Sequence, residues 1–306
     1  MTDPSANPVH AAGFSCWCAL HTRRRFSGLL LAGAAAPVSA AIPECKRSSF
    51  TKAVSADDVE KGSGQQYRQM LQQASSKNAL APKDHPQLQR LRYIADRIIP
   101  FTPECNGRAR DWKWEVNLIG SQDLNAFCMP GGKIAFFYGI LAKLQLTDAE
   151  VATIMGHEAA HALLEHAREQ MGKNFVTQSG LRIGAALLGL GSVGDMAAQM
   201  GAQLAGLKFS RDDESEADAL GLVMSSRAGY DPSAGVTLWK KMMAASGSSG
   251  GGSPGFLSTH PTNADRIQDI ERRLPRVLPM FDAADKPARD FGPPKPPKPA
   301  AGEQKP

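Results

Sequence analysis

His157 and His161 stand four residues apart in the run MGHEAAHALLEH (155–166), with Glu158 directly after the first histidine. On a helix, residues i and i+4 share a face with Cβ atoms about 5–6 Å apart. The two imidazoles can therefore converge on one ion at bonds of about 2.0–2.1 Å, a geometry that zinc accepts. Glu158 leaves the helix beside that ion rather than on it, where its carboxylate can take a proton from a metal-acidified water. With seven histidines in the chain, chance alone would yield this spacing in about one such sequence in a hundred. The pattern therefore needs a third ligand. The extended form HExxHxxGxxH is closed, because Leu164 and Ala167 stand where it requires glycine and histidine. His166 then reads as a surface histidine off the ligand face. A later stretch, FSRDDESEADALGL (209–222), offers Glu214, Glu216 and Asp218 within about one turn. Alone, it would read as a solvated acidic face. Coupled with the histidine pair, Glu214 can supply the missing ligand while Asp218 accepts the outer N–H of a ligand histidine.

These residues need elements to hold them. Thr147-Asp-Ala-Glu150 has the form of a capping box, with Leu146 and Val151 spaced for a hydrophobic staple, so a helix is expected from 148 to about 171. The acidic run predicts a second helix over 211–227. Upstream, Leu88, Leu91, Ala95 and Ile98 share one face of a helix over 85–99, which Pro100 and Pro103 close and which His85 starts. Alternation of Trp114, Val116 and Leu118 marks a half-buried strand in 113–120, and LNAFCMPGGKIAFFYG (124–139) reads as a hairpin about Pro-Gly-Gly. Further helices are expected near 57–73 on the surface, over 233–245 and over 263–273. The Gly/Ala/Leu-rich stretch 180–207 has only 12 uncharged residues between Arg182 and Asp195, too few to span a bilayer, and 246–255 is a flexible loop. Trp112, Trp114 and Trp239 are assigned to packing.

Composition is that of a globular protein, 42% hydrophobic and 21% charged over 306 residues. The formal charge of +5 includes Arg23, Arg24 and Arg25, and the excess is too small and scattered to indicate nucleic acid. Residues 1–40 read as an export signal. Arginines in the order Thr22-Arg23-Arg24-Arg25-Phe26 precede a short Ala/Gly-rich apolar run and a small-residue cleavage pattern at Val38-Ser39-Ala40, which resembles a twin-arginine signal more than a mitochondrial presequence. Cys45, Cys105 and Cys128 remain after it, without CxxC spacing, so a cysteine zinc site is unsupported; a Cys45–Cys105 pair is one arrangement that an oxidising compartment would allow.

HExxH followed about fifty residues on by ExxAD resembles the zinc metallopeptidase family of CAAX prenyl proteases and HtpX, closest to its small soluble periplasmic BepA-like and LoiP-like members. Asn125-Ala126-Phe127 with Pro130-Gly131-Gly132 is similar to that family's edge strand, and THPTNADR (259–266) to its C-terminal His-Pro…Arg element. The likeness spans about 85–275. It implies an α+β fold: a mostly helical, zincin-type (gluzincin) domain with a small β-sheet whose edge strand lines the active-site cleft. It implies one zinc ion per chain on His157, His161 and Glu214, which selects Glu214 over Glu216, with Asp218 behind them and Glu158 as base. It also implies that Asn125 and Ala126 hold substrate backbone, and that His260 and Arg266 approach the metal. His260 would either stabilise the oxyanion or occupy the open metal position of a latent enzyme; a His-Pro turn with a surface salt bridge is the structural alternative.

The expected organisation is a signal over 1–40, a polar segment over 41–84, a metallopeptidase domain over 85–280 and a Pro/Lys-rich disordered tail over 281–306. The membrane spans of the embedded family members are missing, which points to the soluble branch; peripheral membrane association is compatible with this reading. The expected activity is hydrolysis of internal peptide bonds in misfolded or misassembled envelope polypeptides. The competing reading is a non-proteolytic holdase that keeps zinc for stability, against which Glu158 argues, since structural zinc needs no base.

Overall fold

The computed structural model describes residues 45–186, 207–247, 255–261 and 264–295; the signal-like segment 1–40, most of the Gly-rich stretch 180–207, most of the 246–255 loop and the last 11 residues lie outside them. No described helix is long and apolar enough to cross a membrane.

Three strands form the sheet: β1 (Glu115–Ile119), β2 (Ala126–Met129) and β3 (Lys133–Phe137). The order is β1-β3-β2, with β1 parallel and β2 antiparallel to β3, so β2 is an edge. The turn between β2 and β3 requires glycine: Gly131 and Gly132 have φ of +84° and +74°, and a Cβ on Gly132 would lie 2.8 Å from the Trp114 ring. Pairing Ala126 with Phe136 and Cys128 with Ile134 puts alternate side chains on opposite faces. One face, with Val116, Leu118, Cys128, Ile134 and Phe136, joins the main core. The other, with Ile119, Met129 and Ala135, packs on Tyr67 and Ala74.

Those last two belong to α1 (Ala56–Ser76), expected to be a surface helix of a polar segment. It is instead anchored. Tyr67 is fully buried and donates its hydroxyl to the Ile134 carbonyl at 2.5 Å, and a Cys45–Cys105 disulfide ties the preceding chain to the body. A disulfide of this kind contributes typically ~2–4 kcal/mol. The sequence predicts this helix but not its burial, because the buried face, Val59, Ser63, Gly64, Tyr67 and Ala74, carries few large apolar side chains.

The main core on the other face draws on α2 (Pro86–Ile98), α3 (Tyr138–Lys143), α4 (Asp148–Leu163), α6 (Arg211–Arg227), α7 (Ala234–Gly247), α8 (Gly255–Thr259) and α9 (Ala264–Ala283), while α5 (His166–Ala186) packs on residues 49–53. His85 caps α2, accepting from the Gln87 amide. The α4 capping box forms, with Thr147 Oγ1 accepting from the Glu150 amide and the Glu150 carboxylate from the Thr147 amide.

Two expectations fail here. The helix expected over 148–171 breaks at Leu164, and Glu165 takes φ +61° before α5 begins. Tertiary bonds hold the break: Asn106 Nδ2 caps the Leu163 carbonyl at 3.0 Å, and Arg168 Nη1 pairs with the Glu165 carboxylate at 2.6 Å. The tail expected to be disordered from 281 stays on the body up to 295. α9 runs on through Pro275 and Pro279, the Phe291 amide donates to Asp148 Oδ2 at 2.9 Å, and the Phe291 ring lies 5.6 Å from that of Tyr93. Its proline content hid these single anchors.

The site depends most on the contact between α4 and α6. A Cβ on Gly156 would meet the Gly221 carbonyl at 2.8 Å, and one on Gly221 would meet the His157 amide nitrogen at 2.7 Å. Only glycines let the two backbones approach so closely. Glu214, two turns N-terminal to Gly221, thereby arrives beside the histidines of α4.

Candidate metal centre

α4 carries His157 and His161 one turn apart, each 2–3% exposed. Ser210 and Asp213 form a second capping box at the start of α6, which fixes its first turn and therefore Glu214. α8 brings in His260, whose ring stacks on Phe256 at 4.5 Å.

His157 Nε2 lies 3.0 Å from His161 Nε2, 3.5 Å from Glu214 Oε2 and 3.3 Å from His260 Nδ1. Glu214 Oε1 lies 3.4 Å from His161 Nε2 and 2.8 Å from His260 Nδ1. Ligands bonded tetrahedrally at about 2.0–2.1 Å are about 3.3 Å from one another, which is the scale of these separations. Donor atoms of all four residues fall within 4.8 Å of one another. Glu214 Oε2 is buried and accepts no hydrogen bond, although Arg266 Nη1 lies 2.5 Å away. Imidazole nitrogens and a carboxylate at these separations fit a divalent metal ion, held by His157, His161 and Glu214 with His260 as a candidate fourth donor.

Each ligand histidine is oriented from behind. His157 Nδ1 lies 3.0 Å from Asp218 Oδ1. Asp218 in turn accepts two bonds from Arg266, at 2.6 and 2.9 Å, and the guanidinium rests 3.6 Å from the centre of the Trp239 ring. Burial would raise the Asp218 carboxyl, but Arg266 outweighs it and holds the group below its usual range. His161 Nδ1 lies 2.9 Å from His166 Nδ1, and His166 Nε2 lies 3.4 Å from Glu216 Oε2. Each outer contact leaves the Nε2 atom facing the cluster.

Glu158 is buried beside the donor set. Its Oε1 makes no hydrogen bond and lies 3.4 Å from His260 Nε2. Burial raises its pKa, against the opposing pull of His260 and His157. For Glu214, burial also pushes upward, but hydrogen bonds with His161 and His260 win and hold it far below the usual carboxylate range.

A cavity of about 620 Å³ opens onto Glu158, His161 and His260, bordered by Asn125 and Ala126 at the β2 edge. Asn125 Oδ1 accepts from the Ala126 amide at 3.0 Å, while the Asn125 carbonyl pairs with Phe137 in the sheet. All nine residues singled out in the sequence thus lie in this cluster or line its cleft. His166 is the exception among the histidines: expected on the surface, it is 2% exposed, because the break at Glu165 turns it back against His161. Trp239 is packed, as expected, but its face also supports Arg266. Phe209, stacked on His161 at 4.0 Å, and the pair Gly156 and Gly221 escaped the sequence reading as well; a glycine directly before His157 was the available signal.

Residues 86–274 match peptidase family M48. The chain belongs to peptidase family M48. It is 32% identical over 245 residues to the mitochondrial metalloendopeptidase OMA1 of Schizosaccharomyces pombe, covering 80% of this chain and 69% of that protein. It is 29% identical over 210 residues to the metalloprotease LoiP of Escherichia coli K12, covering 67% of this chain and 78% of LoiP. A 29% identity over 171 residues relates it to the beta-barrel assembly-enhancing protease of Escherichia coli O157:H7, covering 53% of this chain but only 35% of that relative. The four candidate metal donors, Glu158 and Arg266 lie inside the M48 match, whereas α1 lies before it. The chain is thus an M48 metalloendopeptidase whose described body extends beyond the family domain.

Proposed function

We propose that this M48 metalloendopeptidase uses one zinc ion, held by His157, His161 and Glu214, to cut internal bonds of misfolded or misassembled cell-envelope proteins. The observation that carries the reading is Glu158: a buried carboxylate next to the donor set with one oxygen free of hydrogen bonds. Bound zinc would supply a Lewis acid for the water and the scissile carbonyl. Glu158 takes the proton of the attacking water and delivers it to the leaving amine. The edge of β2 pairs with the substrate main chain, with Asn125 and Ala126 holding it, so recognition depends little on sequence. Asp218 and His166 orient the ligand imidazoles. Arg266, raised in pKa because Asp218 outweighs its burial, keeps its charge near the oxygen that becomes negative.

His260 has two readings. Its Nδ1 stands among the metal donors, which favours a latent enzyme whose fourth position is held by this imidazole until substrate displaces it. Its Nε2 faces Glu158, which favours a part in charge stabilisation. The variant His260→Ala separates them: higher basal cleavage supports the latch, lower cleavage the stabiliser.

For location we infer export to the periplasm through the 1–40 signal, with a catalytic domain over 85–280 to which α1 adds. Likeness to a beta-barrel assembly-enhancing protease supports an envelope setting, and sequencing the mature N-terminus tests it. Casein digestion tests the chemistry against the holdase reading. Glu158→Gln should keep its zinc and lose about 10²–10⁴-fold in turnover; unchanged turnover would remove the catalytic assignment.

A further inference from the structure

The β2 edge accounts for one side of the cleft. The opposite side is α1, which lines the same cavity from Gly62 to Gln73, about 16 Å of helix. The β2 segment lining it, Asn125 to Pro130, extends about 17 Å. The two walls thus line the cavity over similar lengths. The contribution of α1 is mostly glutamine: Gln65, Gln69 and Gln73 recur every fourth residue on one stripe, with Gln66 beside them.

α1 covers the sheet face that carries Met129 and Ala135, whereas α4 packs with Cys128 and Ile134 on the other. A strand added at the β2 edge continues both faces. Its side chains alternate, one set toward α4 and the metal donors, the other toward α1. Side chains on one face recur every 6.6–6.8 Å, roughly the figure for any strand, and glutamines four apart on a helix recur about every 6 Å. The two repeats match over three positions. Gln66 Oε1 gives a second observation: this buried acceptor lines the cavity and has no hydrogen-bond partner. Among the described residues the cavity lining carries no charge besides Glu158, His161 and His260.

Resting on the peptidase reading above, we propose that α1 is the second wall of the substrate groove. Gln65, Gln69 and Gln73 receive alternate side chains of an extended substrate, and select segments whose residues on that face are neutral and polar. A carboxamide both donates and accepts, so it satisfies Ser, Thr, Asn or Gln in either sense. It offers no counter-charge to Asp or Lys, which must shed water to enter.

The test uses ten-residue peptides carrying Ser/Asn, Asp or Lys at alternate positions, with the full chain. Replacing Gln65, Gln69 and Gln73 together by Ala should raise KM for the neutral polar peptide about threefold to tenfold, with kcat and zinc content unchanged. Replacing them by Glu should lower KM for the Lys peptide and raise it for the Asp peptide, an inversion that mere loss of packing cannot produce. The same KM values in all three proteins would overturn the proposal. Should the wild type cleave nothing, the peptidase reading itself fails. Fluorescence anisotropy with Glu158→Gln chains then still decides the groove: binding that follows the Gln→Glu inversion supports it, and binding indifferent to the stripe refutes it.

Discussion

On the metal side of the cleft, His157, His161, Glu158, Glu214 and Asp218 are buried, and their charges and rings meet partners from α4, α6, α8 and α9. On the α1 side, Gln65, Gln69 and Gln73 are exposed, neutral and without side-chain hydrogen bonds to the described residues. Hydrolysis needs charges fixed before the substrate arrives, and burying them demands a partner for each. Gripping unrelated chains needs groups that can adapt, and a loose carboxamide costs little to leave in water. The proposed groove thus has a rigid chemical wall and a compliant reading wall. Changes to the first should alter stability and metal binding; changes to the second should alter only KM.

The largest effect expected on the rigid wall comes from Arg266→Met. It removes the guanidinium that both the Asp218 and Glu214 carboxylates meet, and loss of one partner from a buried pair costs about 3–5 kcal/mol. Urea denaturation of the metal-loaded protein would measure it; an unchanged midpoint would mean that this wall is not held by charge. Gly221→Ala forces a methyl against the His157 amide, and overpacking of this kind costs about 1–3 kcal/mol. Zinc should be lost with it, because the helices that bring the ligands together are pushed apart.

His166→Ala should weaken metal affinity about 10- to 100-fold, the usual cost of losing a group behind a ligand. His166→Asn should recover part of that loss, because its amide can meet His161 Nδ1. Equilibrium competition with a chelator reads both, and equal affinity in all three proteins would reduce His166 to packing. The smallest effect tests the compliant wall. Gln72 is exposed on α1 but does not line the cleft, so Gln72→Ala should leave KM unchanged. A rise matching that of the cleft-facing glutamines would show that α1 acts through its stability alone.

Legibility followed the range of the determining contacts. The α4 histidine pair, its capping box and the glycine turn at 131–132 are set by neighbours in sequence, and the chain spells them out. Pairing Glu214 with α4 needed the resemblance, because no local feature distinguishes it from Glu216. What stayed hidden depends on residues far apart. The turn that buries His166 is held by Asn106 and Arg168, and the close approach of α4 and α6 requires a glycine from each. The burial of α1, expected only as a surface helix, was hidden for another reason: Tyr67 is its fully buried large side chain, and Met70 and Leu71 beside it are only partly covered.

In the proposed centre, two imidazoles of α4 and one carboxylate of α6 close around a single ion. Elemental analysis of the purified wild type, Glu214→Ala and Glu216→Ala tests it most directly. One zinc per wild-type chain is expected, with little or none in Glu214→Ala and full retention in Glu216→Ala. Full metal content in Glu214→Ala would contradict it.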